Sequence, residues 1–596
     1  MAKKEKVIIG PGHQRPIIYQ TFPRIFTNTN STNKFAGTLE ENGAGKLNDI
    51  TPTMLRSLKG LGINCIWLTG VIEHATKSDF RNYGIPLDNP NVVKGEAGSP
   101  YAIKDYYDID PAIAVNPERR MEEFEECVKR IHAAGMKVII DFVPNHTARI
   151  YHSDVAPEGI EDFGASDNRT YFFSPSNNYY YIPNQQFSPD FCIAAEGNEA
   201  YVEFPAKATG NDCFSAFCGK NDWYETVKLN YGHDYGDHSD HFEPVPDTWL
   251  KMLHILRFWA SKGVDGFRCD MVFMVPLHFW HWAIPQVKET NPDLLFIGEI
   301  YDVGQYRPFL DYGHFDYLYD KVNLYDKIVG IERYNYSAAQ LTSAWQTVDG
   351  ISDRMLNFLE NHDEVRYGSV EFAGDPSKVV PALVVSSMMS CGPYMIYYGQ
   401  ELGERATENE GFAGFNNRST IFDYWSYDPI RRWYADGKCS ISGLNAHEKW
   451  LRGVYSKILK LCNENSALRE GSFFDLMYAN LGQEGFDPHS CFCFLRYTED
   501  SKLLIIVNFS EEERRLKINI PGLAFDMAGL QEGSVKEKDL LWGESYHINL
   551  SRTSPLSISI KGRDAIVLPI GDAKQKDLFP EKIAKNPKTK GASPEK

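Results

Sequence analysis

The chain contains no run of eighteen apolar residues, which excludes a helix that spans a bilayer. It contains no CxxC pair, and its eleven cysteines are an odd number. That pattern argues against a disulfide framework and reads as reduced thiols in a reducing compartment. Cys65 and Cys269 sit inside apolar runs and read as packing residues. Positive charge is also short: 62 Lys and Arg stand against 80 Asp and Glu, a formal balance of -18. This argues against a nucleic-acid partner, which is held through its phosphates by clustered cations. No apolar segment follows the basic start Met1-Ala2-Lys3-Lys4-Glu5-Lys6, so no signal peptide is read. The expected location is cytoplasmic, or secreted or periplasmic if an export signal has been removed.

What is present is the material of a folded protein of several domains. Of the 596 residues 43% are hydrophobic, and 33 Tyr, 35 Phe and 11 Trp make up an aromatic fraction of 13%. Most of these rings belong to cores, but the supply suits stacking on sugars.

Apolar runs alternate with helical patterns. Residues 17–20 read as a first strand. Thr51-Pro52 then opens a helix with a cap residue followed by proline, and 63–68 is a second strand. Met121, Phe124, Val128 and Ile131 form one stripe of a helix over 117–134, closed by Gly135. Residues 138–143 follow as a third strand, apolar almost throughout, as a parallel strand buried on both faces requires. The alternation lapses over 147–245, a stretch rich in Asn, Tyr, Pro and Asp and too long for a connecting loop. It resumes with strands at 264–269, 294–299, 315–318, 355–360 and 394–398, and with helices at 246–262, 277–290, 338–346, 376–390 and 446–463.

Eight strands predict an α/β fold: a closed (β/α)8 TIM barrel over 1–146 and 246–465, with an inserted domain over 147–245 after the third strand. After residue 466 the period changes to two, in runs at 491–497, 503–509 and 565–569, which predicts a C-terminal antiparallel β-sandwich over 466–571. Residues 572–596, rich in Lys, Pro and acids, read as a disordered tail.

Three of the strands deliver an acid at the carboxyl end: Asp270, Glu299 and, just past Glu360, Asp363. Two carboxylates on adjacent strands suit glycoside hydrolysis, which needs a proton donor at the leaving oxygen and a carboxylate at the anomeric carbon. Arg268 faces the same side as Asp270 and is expected to keep it ionised. Glu299 follows Phe296, Ile297 and Gly298 with no base nearby in sequence, a setting expected to favour its proton. His362, beside Asp363, is a hydrogen-bond donor for sugar hydroxyls.

Asp141-Phe142-Val143-Pro144-Asn145-His146, Gly266-Phe267-Arg268-Cys269-Asp270, Ile297-Gly298-Glu299 and Phe358-Leu359-Glu360-Asn361-His362-Asp363 resemble, in order, the four sequence regions of the α-amylase family, glycoside hydrolase family 13. The resemblance implies a retaining hydrolase of α-glucosidic, mainly α-1,4, bonds in starch, glycogen or maltodextrins. Asp270 would be the nucleophile and Glu299 the acid and then base. Asp363 would distort the sugar before the cleaved bond, where Arg268, His146, His362 and a stacking Tyr101 also bind. Retention implies carboxylates about 5 to 5.5 Å apart. Transglycosylation, or sugar binding without turnover, are the alternatives. No cofactor is required for the chemistry. Asn145 matches a position that often holds Ca2+ in amylases, and the residues leave open a structural calcium ion there or a plain hydrogen bond to the inserted domain. Phe273 and Met274 stand where many starch-cleaving relatives carry Lys-His, so the aglycone side reads as apolar. Arg366 is open between substrate and an acid partner, and the Asn/Tyr-rich stretch 176–186 between a sugar-lining surface and a scaffold.

Overall fold

The structure, a computed structural model, describes residues 14–191 and 200–571; the predicted tail over 572–596 lies outside them. Eight parallel strands close a barrel: β1 (Ile17–Thr21), β2 (Cys65–Leu68), β3 (Lys137–Phe142), β4 (Gly266–Cys269), β5 (Leu295–Gly298), β6 (Tyr317–Tyr319), β7 (Met355–Phe358) and β8 (Tyr394–Tyr397). β1 pairs with both β2 and β8, so the ring has no free edge. All residues of β1, β2, β4, β7 and β8 are buried, because helices cover the outer face and side chains fill the interior.

Local signals set the helix ends. Thr51 Oγ1 accepts from the Met54 N–H, Pro52 occupies the first turn, and Gly62 closes helix Pro52–Leu61 at φ 109°. Asn445 and Glu448 form a reciprocal capping box on Ala446–Glu464. Between β5 and β6 the sequence showed no helix, yet a six-residue one, Tyr306–Asp311, is present. It is too short, with Pro308 inside it, to display a period. The single helix read between β6 and β7 is two, Asp326–Tyr334 and Gln340–Thr347.

Between β3 and helix Asp247–Ser261, the described residues form only short two-stranded ladders, such as His146–Ala148 with Thr226–Lys228 and Tyr181–Ile182 with Ala206–Lys207. This segment has a small apolar cluster of its own around Phe187, Tyr201 and Tyr224. At the C-terminal end β9 (Ser472–Asp475), β10 (Cys491–Tyr497), β11 (Lys502–Asn508) and β12 (Asp564–Pro569) form an antiparallel sheet. Two further antiparallel pairs, Arg514–Ile518 with Leu556–Ile560 and Gly533–Lys538 with Ser545–Leu550, lay below the resolution of the sequence pattern. Helix Val379–Met388 is buried at all ten positions and packs against β11 and β12. No described helix is long and apolar enough to cross a membrane.

Beyond β8 the chain is pinned by charge. Glu401, fully buried, accepts from Arg452 Nη1 at 2.6 Å and from the Tyr19 hydroxyl at 3.1 Å. Removing one partner of a buried pair typically costs about 3–5 kcal/mol, whereas apolar replacement of both is often neutral. Arg452→Met is therefore expected to lower the melting temperature clearly, and adding Glu401→Leu to restore part of it; a single variant as stable as the native protein would show that this pair holds nothing.

Candidate active site

The carboxyl ends of the strands open onto a cavity of about 370 Å³. Its lining includes Asp270, Glu299 and Asp363 with Tyr101, His146 and His362. The barrel register assembles them. Arg268 pairs across β4 with Asp141 on β3 and with Ile297 on β5, two residues before Glu299. Three acids far apart in sequence thus stand around one arginine.

Arg268 is 1% exposed. Its Nη1 donates to Asp270 Oδ1 at 2.8 Å and to Asp141 Oδ1 at 3.4 Å, and its Nε to the Tyr319 hydroxyl at 3.3 Å. Nη2 lies 2.6 Å from Glu299 Oε1 as a charge pair, off the line of a hydrogen bond. The guanidinium also sits 5.4 Å from the ring centres of Trp67 and Tyr101. Two expectations are corrected here. Glu299 does have a basic neighbour, which sequence distance hid and strand register supplies. Asp270 is not simply held ionised by Arg268: burial pushes its carboxyl well above the usual range, Arg268 opposes this, and Glu299 and Asp363 push it further up. One cation is shared among several carboxylates.

Glu299 is held from two further sides, by the Tyr301 hydroxyl at 2.6 Å on Oε1 and by the Met271 N–H at 2.9 Å on Oε2. Met271 adopts φ 45°, a left-handed conformation that a side chain disfavours, and this turn aims its N–H at the acid. Asp141, quoted in the sequence only as part of a motif, is a site residue that the reading missed. Burial raises its carboxyl to about 6 while Trp67 Nε1–H, the Gly70 N–H and Arg268 hold it. A Cβ on Gly70, itself at φ 68°, would lie 2.5 Å from the Phe22 ring. Tyr301 and Trp223, from loops, and Lys321, at the start of the helical turn Lys321–Tyr325, also line the cavity without a sequence signal.

Across the cavity, His362 Nε2 reaches Asp363 Oδ2 at 3.1 Å and the Tyr101 hydroxyl at 2.5 Å, and the Tyr101 ring stacks on the imidazole at 5.2 Å. Gln20 Nε2 donates to Nδ1 at 2.8 Å, which assigns the proton to Nε2. Burial, and then Arg268, lower His362 to about 3. His146 is likewise lowered to about 3 by burial and by Lys228, and its ring lies 5.3 Å from Trp223. Phe273, 39% exposed, lies 6.2 Å from the Tyr301 ring, whereas Met274 Sδ lies 3.8 Å from Asn145 Nδ2.

The calcium expectation at Asn145 does not fit the residues. Asn145 Oδ1 accepts from Lys228 Nζ at 2.5 Å, and the same ammonium bonds the Met274 carbonyl at 3.1 Å and Asp212 at 2.7 Å. A cation of the protein's own holds the oxygen that Ca2+ would need, so the alternative, a hydrogen bond between barrel and inserted segment, describes Asn145. Arg366 is fully buried on Glu360 at 2.9 Å and the Tyr398 carbonyl at 2.9 Å and is structural. In the 176–186 stretch Asn177, Asn178, Tyr179 and Tyr180 are buried, and Tyr180 bonds the His233 carbonyl, so that stretch is scaffold.

A closed parallel barrel whose carboxyl mouth gathers acids around one buried arginine belongs to the class of barrel glycoside hydrolases. The family model for the α-amylase catalytic domain matches residues 20–478, and the chain belongs to the α-amylase family, glycoside hydrolase family 13. It is 23% identical over 554 residues to α-amylase 3 of Dictyoglomus thermophilum, covering 89% of each chain. It is 23% identical over 520 residues to a cyclomaltodextrinase of Thermoanaerobacter pseudethanolicus, covering 84% of this chain and 71% of that one. The crystal structure of the maltogenic α-amylase AmyB of Thermotoga neapolitana shares the fold at TM-score 0.60 and 20% identity, over 93% of this chain and 98% of that one.

Two measurements check this account of the site. Lys228→Met leaves Asn145 Oδ1 without its donor and is expected to destabilise by about 1–3 kcal/mol, read by urea unfolding; a neutral result would remove Lys228 as the fastener. The unfolded chain protonates His362 near its ordinary pKa of about 6.5. Because the folded protein holds it neutral, the unfolded state binds more protons between about 6.5 and 3, and stability falls as pH falls through that window. His362→Asn is thus expected to lose less melting temperature between pH 7 and pH 5 than the native protein; equal losses would contradict it.

Proposed function

We propose that this protein is a retaining α-glucoside hydrolase acting on α-1,4-linked glucans or malto-oligosaccharides. The observation that carries the reading is that Asp270 and Glu299 meet the two terminal nitrogens of the same guanidinium, with Asp363 and His362 lining the same cavity. In this reading Asp270 Oδ attacks the anomeric carbon as Glu299 gives its proton to the leaving glycosidic oxygen, leaving a glycosyl ester on Asp270. Glu299, now a carboxylate, takes a proton from water, which attacks the same carbon and frees Asp270. Arg268 supports whichever acid carries the charge at each step. Asp363, His362 and His146 hold hydroxyls of the sugar before the cleaved bond, and Tyr101 offers its ring face. The relatives' names, an α-amylase and a cyclomaltodextrinase, support a glucan substrate.

One observation favours a second reading, transfer to a sugar acceptor. Tyr301, bonded to Glu299 through its hydroxyl, and the half-exposed Phe273 ring 6.2 Å from it offer aromatic surface that suits a sugar better than bulk water. Proton NMR of the purified protein with maltoheptaose separates these outcomes. Early α-configured short products support hydrolysis with retention, and products longer than the substrate support transfer. First-formed β-anomers, or no turnover, overturn the proposal. Glu299→Gln is expected to lower kcat by about 10²–10⁴-fold, and Asp270→Asn to abolish turnover while maltoheptaose still binds.

A further inference from the structure

Strands Ile72–His74 and Ile103–Ile109 form a buried hairpin beside the barrel mouth, and its register slips on either side of Glu73. Glu73 is 1% exposed, yet neither carboxylate oxygen receives a hydrogen bond. Buried carboxylate oxygens without a donor are rare, since a buried charge is otherwise paired or ligates a metal. Around Glu73 stand other acids. One oxygen each from Glu73, Asp108 and Asp154 lie within 4.8 Å of one another. At that range a single ion about 2.4 Å from each, the ordinary Ca2+ spacing, can reach all three. Asp105, opposite Glu73 in the ladder, adds a fourth carboxylate that accepts from the Tyr107 and Asp154 N–H groups at 2.7 and 3.1 Å. The guanidinium here is Arg120, whose Nη2 contacts Asp108 and, at 3.4 Å, Asp154, with no contact to Glu73.

We propose that Glu73, Asp108 and Asp154 form a site for one hard divalent cation, of Ca2+ size, separate from Asn145 and from the catalytic acids. All three ligands are oxygens, as such an ion requires, and with Asp105 they set four carboxylates against the single guanidinium of Arg120, which leaves Glu73 without a partner. Asp154 reaches the surface, which gives the ion a path in. The ion would join residues of the barrel hairpin to the beginning of the inserted segment. Tyr101, which stacks on His362, lies two residues before the strand that carries Asp105 and Asp108, so the same ion would steady one wall of the sugar cavity. Mg2+ demands a smaller, stricter octahedron and is expected to bind more weakly.

The test uses the full chain, stripped with EDTA and desalted, then titrated with CaCl2 or MgCl2 by calorimetry and followed by thermal unfolding. The expected result is one Ca2+ per chain with a rise in melting temperature, and at least a tenfold weaker Ca2+ response in both Glu73→Gln and Asp154→Asn, while Asp212→Asn, beside Lys228, keeps the native response. Asp154 lies at the surface, so its variant decides the matter if Glu73→Gln fails to fold. Absence of binding heat and of a melting shift overturns the proposal. So does native-like binding in both variants, which places the ion elsewhere.

Discussion

A single buried cation organises the mouth of this barrel. Arg268 is shut away from water, where an unpaired charge costs several kcal/mol, and it is tolerable only because carboxylates surround it. The reverse also holds: without Arg268 the acids of β3, β4 and β5 would repel one another at close range in a medium that screens poorly. The arrangement is therefore mutual. Strand register places the arginine between its partners, aromatic rings of Trp67, Tyr101 and Tyr319 close the space around it, and the acids keep their orientation because the cation does. Sharing one positive charge among several negative ones leaves the group short of balance, so Arg268 does not offset the burial of Asp270, whose carboxyl stays well above the usual range.

The attachment of the inserted segment follows the same logic with a different cation. Lys228, on a strand of that segment, reaches back to Asn145 and to the loop after β4. An ammonium carries one charge and three directional donors, so it fastens fewer groups than a divalent ion but needs no supply from solution. The fastening is written into the chain.

Much of this was legible before any coordinates. The eight barrel strands announce themselves because parallel strands buried on both faces must be nearly continuous in apolar residues, and their acids because each closes such a run. Asp270, Glu299, Asp363, Arg268, His146, His362 and Tyr101 all come together around the cavity. What stayed hidden has a common cause. The Arg268–Glu299 contact, the Lys228–Asn145 contact and the lining role of Trp223, Tyr301 and Lys321 depend on residues that only the closed register or the path of a connecting segment makes neighbours. Periodicity reports a residue's own element and is silent about the element across from it. The short helix Tyr306–Asp311 was missed because six residues, Pro308 among them, are too few to reveal a helical period, and the outer strand pairs near the C-terminal end because they are largely exposed and polar rather than continuous apolar runs.

Helix Val379–Met388 carries a consequence for synthesis. Its ten residues are covered partly by the barrel and partly by β11 and β12, which lie more than a hundred residues later in the chain. A chain emerging at about 5–20 residues per second completes the barrel strands well before the sheet that seals this helix exists. For several seconds or more the nascent barrel bears an apolar stripe with no cover. The C-terminal sheet thus acts as the closing piece of the barrel's own core, and its late arrival gives the growing chain an interval in which chaperones, or other unfinished chains, compete for the same surface.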